Sequence, residues 1–195
     1  MQLDLTSKSF GPNQVLGPIR LSLTRGQRLA VLGPSGTGKS TLLRIVAGLD
    51  PDFQGRITGD ERLALIFQEP TLLPWRNATQ NITIPTGCTV AQAHEWMARV
   101  GLPAHHTHFP RQMSLGQQRR LALARAFAAQ PDILLMDEPF ASLDAETAGR
   151  MIALTRDLVM DTGAGLLLVT HDPNEARALD ARPLRLGGSP AQILP

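Results

Sequence analysis

Short apolar runs alternate along this chain with longer stretches in which apolar residues recur every three or four positions. Arg28-Leu29-Ala30-Val31-Leu32, Leu63-Ala64-Leu65-Ile66-Phe67, Ile133-Leu134-Leu135-Met136 and Leu166-Leu167-Leu168-Val169-Thr170 have the length and unbroken hydrophobicity of strands buried on both faces. Helices are predicted at about Lys39–Ala47, closed by Gly48, and at about Val90–Val100, Gly116–Ala129 and Glu146–Met160. Such strand–helix alternation implies an α/β fold, a parallel sheet flanked by helices. Leu3–Thr6 and Ile19–Leu23 are shorter and alternate in polarity, which suits a small antiparallel sheet at the N-terminal edge. No strand is predicted between about Thr71 and Ala126. The expectation is therefore one domain over residues 1–195, its core at about 1–70 and 127–195 and an α-helical subdomain inserted at about 71–126.

Chemistry enters at the end of the first buried strand. Gly33-Pro34-Ser35-Gly36-Thr37-Gly38-Lys39-Ser40 meets the pattern G-x-x-x-x-G-K-[ST] between a strand and a helix. In that context glycines let backbone N–H groups converge on a phosphate at the positive end of a helix. Lys39 would neutralise β- and γ-oxygens, and Ser40 would ligate Mg²⁺. A second strand, Ile133–Met136, runs into Asp137 and Glu138. Asp137 is placed to hold the metal through water, and Glu138, facing the terminal phosphate, to polarise the attacking water as general base. The expected substrate class is a nucleoside triphosphate with magnesium, and the sheet with its phosphate loop resembles the RecA-like core of the P-loop NTPases.

Composition narrows the setting. With 195 residues, 43% of them hydrophobic, the chain can bury one core. Its apolar runs are far below bilayer length, and the N-terminus lacks the pattern of a secretory signal. Cys88 is the only cysteine, which suits a free structural thiol in a reducing cytoplasm. The pI near 9.3 accompanies a net charge of only +2 and no tyrosine, so it reflects missing titrating groups. The arginines are scattered, and no nucleic-acid-binding stripe is present.

Several NTPase classes share these features, and Met113-Ser114-Leu115-Gly116-Gln117-Gln118-Arg119-Arg120 separates them. The segment resembles the signature motif of the ATP-binding-cassette (ABC) ATPases, usually Leu-Ser-Gly-Gly-Gln, and the resemblance extends along the chain. Phe10 stands about where that family stacks adenine, beside a nucleotide cradle of Gly33 to Ser40 and Thr41. Gln68 matches the Q-loop glutamine, Ser142-Leu143-Asp144 the D-loop and His171 the switch histidine. The resemblance implies a head-to-tail dimer, with itself or with a second cassette subunit, that encloses two ATP molecules. Ser114, Gly116 and Gln117 would then act in trans and Asp144 would link the two sites. Gln68 would reach Mg²⁺ and the attacking water, and His171, with Glu138 and Lys39, would complete the catalytic set. Leu115 departs from the family's first signature glycine, and Phe10 from its commoner tyrosine.

Leu72-Leu73-Pro74-Trp75-Arg76 follows the Q-loop, where the family meets the coupling helix of its membrane subunits. It resembles the Leu-Leu-Pro-Trp of importers for nitrate, sulfonates and taurine; the alternative is a turn with one buried tryptophan. The implied function is the motor of an importer at the cytoplasmic face of the inner membrane. Its implied partners are separate permease subunits and a periplasmic solute-binding protein. Compact exporters and lipid- or haem-handling ATPases remain alternatives. Soluble ABC ATPases of DNA or ribosomes are disfavoured, because the chain has neither a long coiled coil nor a second cassette. His105-His106-Thr107-His108 is read as solvated histidines in a Pro-bounded loop, and Trp96 and Met97 as subdomain core.

Overall fold

The computed structural model describes residues 1–194. Five strands form the parallel centre: β4 (Arg28–Leu32), β6 (Leu63–Ile66), β7 (Ile133–Asp137), β8 (Gly165–Thr170) and β9 (Arg182–Gly188), in the order β9-β4-β8-β7-β6. Alternation along each strand divides two cores. On β7, Leu134 and Met136 face one side and Ile133 and Leu135 the other; on β8, Leu166 and Leu168 oppose Leu167 and Val169. Burial on both faces explains why these segments are uniformly apolar. Helix α1 (Lys39–Val46) and the N-terminal strands cover one face; the opposite core takes in α4 (Leu115–Ala128) and α5 (Ala145–Thr162), with Ala176 of α6 (Pro173–Ala178).

The antiparallel region is larger than the sequence pattern suggests. β1 (Gln2–Phe10) pairs with β2 (Asn13–Leu16), β3 (Ile19–Ser22) and β5 (Gln54–Thr58). Through Leu16 opposite Ala191 of β10 (Ala191–Leu194) it joins the central sheet. β2 and β5 contribute few buried side chains, so no hydrophobic period announces them.

Between β6 and β7, α2 (Ala78–Thr86), α3 (Val90–Arg99), a single 3-10 turn and α4 form the helical insertion, with no strand among the described residues. Capping boxes at Asn77/Gln80, Thr89/Gln92 and Ser114/Gln117 start all three helices, satisfying amide donors that would otherwise be unpaired. Met97 is fully buried, and Trp96 stacks on Phe127 with ring centroids 5.8 Å apart.

Asp132 ties the entrance of β7 to two other elements. It accepts from the Arg62 amide at 3.0 Å and from Arg25 Nη1 at 2.8 Å, and these contacts hold its carboxyl at about 2. Because the folded value lies below the ordinary one, this stabilisation is complete above about pH 4 and disappears as pH falls towards about 2. Urea-unfolding midpoints measured down that range are expected to fall more steeply for the native chain than for Asp132→Asn, which has already lost the charge.

Candidate active site

Parallel register collects the sequence motifs at one edge. Leu32 pairs with Thr170, Val169 with Asp137, and Met136 with Ile66. The residues that follow, Gly33, His171, Glu138 and, two past β6, Gln68, therefore leave the sheet side by side. That is the carboxyl edge, where open α/β sheets bind ligands.

The loop between β4 and α1 is shaped by its glycines. Gly36 and Gly38 have φ of 79° and 93°, the left-handed region that side chains disfavour. A Cβ on Gly38 would also lie 2.7 Å from Leu16 Cδ2. The Thr37 hydroxyl donates to the Pro34 carbonyl and braces the turn. No side chain caps α1, so its first amides remain available to an anion. A cavity of about 370 Å³ opens over this loop, lined by Ser35, Gly36, Gly38, Lys39, Ser40 and Thr41, with Phe10, Val15, Gln68, Asp137 and Glu138 opposite. Phe10 is 52% exposed, with Lys8 Nζ 4.5 Å from its ring centroid. Lys8 is itself fixed by Asp50 at 2.8 Å, so one face of the ring is backed and the other is free to stack.

Charge within the cavity is paired. Lys39 is 3% exposed; its Nζ donates to the Gly33 and Pro34 carbonyls at 2.9 and 3.0 Å and lies 3.3 Å from Glu138 Oε1. Ser40 Oγ donates to Asp137 Oδ1 at 2.9 Å, and burial raises the Asp137 carboxyl above its ordinary range. A hydroxyl and a desolvated carboxylate in contact are the hard oxygen donors that Mg²⁺ takes, and Gln68 lines the same cavity. The residues present fit that ion.

Glu138 sits at φ 43°, a costly conformation for a non-glycine residue that persists where surroundings enforce it. Its amide donates to the Val169 carbonyl at 2.9 Å, and its Oε2 lies 3.2 Å from His171 Nδ1. The turn that carries His171 is fixed by its neighbours. Thr170 Oγ1 donates to Glu175 Oε2 at 2.6 Å and accepts from the Asp172 amide at 3.0 Å. Glu175, whose carboxyl burial pushes up, anchors the start of this turn, and no sequence motif marks it.

The remaining motif residues lie elsewhere. Ser114, Gly116 and Asp144 line a separate cleft of about 920 Å³. Ser114 Oγ accepts from the Gln117 amide at 3.2 Å, leaving its proton free to donate outward. A Cβ on Gly116 would have Thr147 Cγ2 as nearest neighbour at 4.0 Å, so nothing inside this chain requires a glycine there. Leu115 is 48% exposed beside it. Asp144 caps α5 through the Thr147 amide at 2.9 Å, which holds its carboxyl low. Within its own chain the Gln117 side chain is engaged twice, with Oε1 accepting from Ser114 N at 2.8 Å and Nε2 lying 3.0 Å from His105 Nε2.

Two readings of loops are corrected. The histidines of the 105–108 turn are half-buried and packed on one another instead of solvated. Trp75 is 66% exposed, which removes the alternative of a buried turn tryptophan. The loop that carries it is fastened by Asn81, fully buried, whose side chain accepts from Leu73 N at 2.7 Å and donates to the Leu73, Arg76 and Asn77 carbonyls. Arg125 of α4 likewise donates to the Pro70 and Thr71 carbonyls at 3.1 and 3.0 Å, tying the exit of the Gln68 loop to the helix that Ser114 begins. Neither clamp belongs to a motif; an asparagine or arginine at helical spacing reads as surface until its contacts are seen.

This constellation has counterparts in known proteins. Residues 16–141 match the ABC transporter family, and whole-chain relatives agree. The chain belongs to that family. It is 41% identical to aliphatic sulfonates import ATP-binding protein SsuB 1 of Xanthomonas axonopodis pv. citri, over 99% of this chain and 83% of that protein. With SsuB 2 of Burkholderia cenocepacia the identity is 39%, covering 99% and 76%. Among solved structures, the dimeric ATP-binding cassette MJ0796, in a post-hydrolysis state bound to ADP and Pi, superposes with a TM-score of 0.84 at 28% identity, covering 100% of this chain and 96% of that one. The cassette is an ATP-binding ATPase with a P-loop core, and no described helix is long and apolar enough to cross a membrane.

Proposed function

We propose that this cassette is the motor subunit of an importer, hydrolysing MgATP between two head-to-tail subunits and driving permease subunits carried on other chains. The observation that carries the reading is the division of the site. Lys39, Ser40, Gln68, Asp137, Glu138 and His171 gather at one sheet edge, whereas Ser114, Gly116 and Asp144 line a different cleft. A second copy turned head to tail brings each half to the other, as the dimeric form of its structural relative supports.

In this arrangement Lys39 and the loop amides bind the β- and γ-phosphates, and Phe10 stacks on the base. Ser40, Asp137 and Gln68 would hold Mg²⁺, which supplies charge neutralisation at the phosphates. Glu138 takes the proton of the attacking water, and His171 orients the carboxylate and contacts the γ-phosphate. Ser114 and the amides around Gly116 donate to that same phosphate from the partner, with Gln117 holding them in place. Their grip depends on a charge that hydrolysis removes, so closure and opening follow the nucleotide. Residues 1–195 are read as one cassette domain, with the helical insertion ending at Ala128, the last residue of α4.

Its place is the cytoplasmic face of the membrane, alongside a periplasmic solute-binding protein and without nucleic acid as partner. The sulfonate importers among its relatives make a small organic anion the favoured cargo. Exposed Trp75, held out by Asn81, is the anchor offered to the permease, because large aromatic side chains dominate such contacts. Tagged chain drawn from its own cells is expected to retain a polytopic membrane protein, and Trp75→Ala to reduce that recovery about tenfold or more with ATP binding unchanged. Recovery of ribosomes or DNA factors alone would overturn transport.

A further inference from the structure

Four of the five histidines, His94, His105, His106 and His108, gather beside the start of α4. The His94 and His106 rings stack 3.7 Å apart, and those of His105 and His108 lie 4.9 Å apart. Among the described residues no group of histidines, cysteines and carboxylates is arranged to hold a metal ion.

His105 is distinguished by its partner. Gln117 Oε1 is committed to the Ser114 amide at 2.8 Å, so the group facing His105 Nε2 at 3.0 Å is the Gln117 NH₂. An NH₂ can only donate, so His105 Nε2 is assigned as the acceptor, with the ring proton on Nδ1, a buried atom without a hydrogen-bond partner among the described residues. We propose that His105 is a positioning residue for the signature segment, whose neutral ring holds the Gln117 amide in the one orientation that keeps Ser114 in its capping box. This rests on the reading that Ser114 acts on ATP bound by a second subunit.

A proton on His105 Nε2 would set two donors against each other. Relief comes from turning the Gln117 amide so that Oε1 faces the ring, which takes the acceptor away from Ser114 N and opens the first turn of α4. His106 and His108 flank His105 in its own turn, and His94 of α3 backs His106. On α4, Arg120 points to the Val100 and Gly101 carbonyls. None of the four histidines is paired with a carboxylate among the described residues. Burial, then the neighbouring His94 and His105, push His106 below the ordinary histidine range.

The test uses the purified full chain at concentrations where ATP turnover depends on dimer formation. His105→Leu is expected to lower kcat by about three- to tenfold, the value of one lost hydrogen bond, with ATP binding to the monomer unchanged. In combination with Gln117→Ala it should add no further loss. His105→Asn supplies another acceptor and should restore kcat to near the native value, which a merely space-filling role would not do. A loss of kcat in His105→Asn as large as in His105→Leu, or multiplying effects of His105→Leu and Gln117→Ala, would overturn the proposal. Ser114→Ala separates the two readings. If it retains native kcat, the trans site falls and this inference with it; if it loses turnover while His105→Leu does not, only the inference falls.

Discussion

Glu138→Gln is expected to reduce steady-state ATP turnover by about 10²- to 10⁴-fold, the contribution of a positioned general base, and to leave ATP bound across a stable dimer. The amide has the size of the carboxylate and can still meet His171 and fit the φ of 43° at this position, so the geometry survives while the basicity does not. The substitution also removes the ion pair with buried Lys39, and that ammonium is then free to serve phosphate alone. Phosphate release measures the loss, and size-exclusion chromatography with MgATP reveals the trapped dimer. Native turnover in the variant would take the base role from Glu138.

Lys39→Met should weaken ATP binding by about 10²-fold or more, because charge-assisted contacts to phosphate are among the strongest available to a side chain. Calorimetric titration of the variant with MgATP measures this directly. Lys39 is placed in advance by the Gly33 and Pro34 carbonyls, so little ordering cost accompanies binding in the native chain. The same substitution leaves Glu138 with His171 as its remaining partner. Retained nanomolar-to-micromolar affinity would mean that backbone amides and the helix terminus suffice, and that the lysine acts only on the transferring group.

Much of the site was legible because its motifs end buried strands. β4, β7 and β8 were recognisable as continuous apolar runs, and the functional residues Gly33, Glu138 and His171 directly follow them. Elements lying on the surface were not legible in this way. α2 carries Thr83, Pro85 and only one large buried apolar residue, Ile82; its Asn77/Gln80 capping box and its packing on α4 decide its conformation, against intrinsic propensity. β9 and β10, for which no strand was predicted, belong to the central sheet, and backbone pairing replaces a hydrophobic signal there.

Local sequence determined the phosphate loop, the carboxylate pair and the strand–helix order, because each depends on residues close along the chain. Register and packing decided the rest. Only the alignment of four parallel strand ends brings Gly33, His171, Glu138 and Gln68 together, and only the folded cassette sets Ser114 and Asp144 on a different cleft from Lys39. His105 illustrates the difference: as a residue in a loop it carries no signal, and it acquires a role from the one amide orientation that α4 leaves open to it. Hydrogen bonds between residues distant in sequence depend on the final packing, which no local pattern encodes.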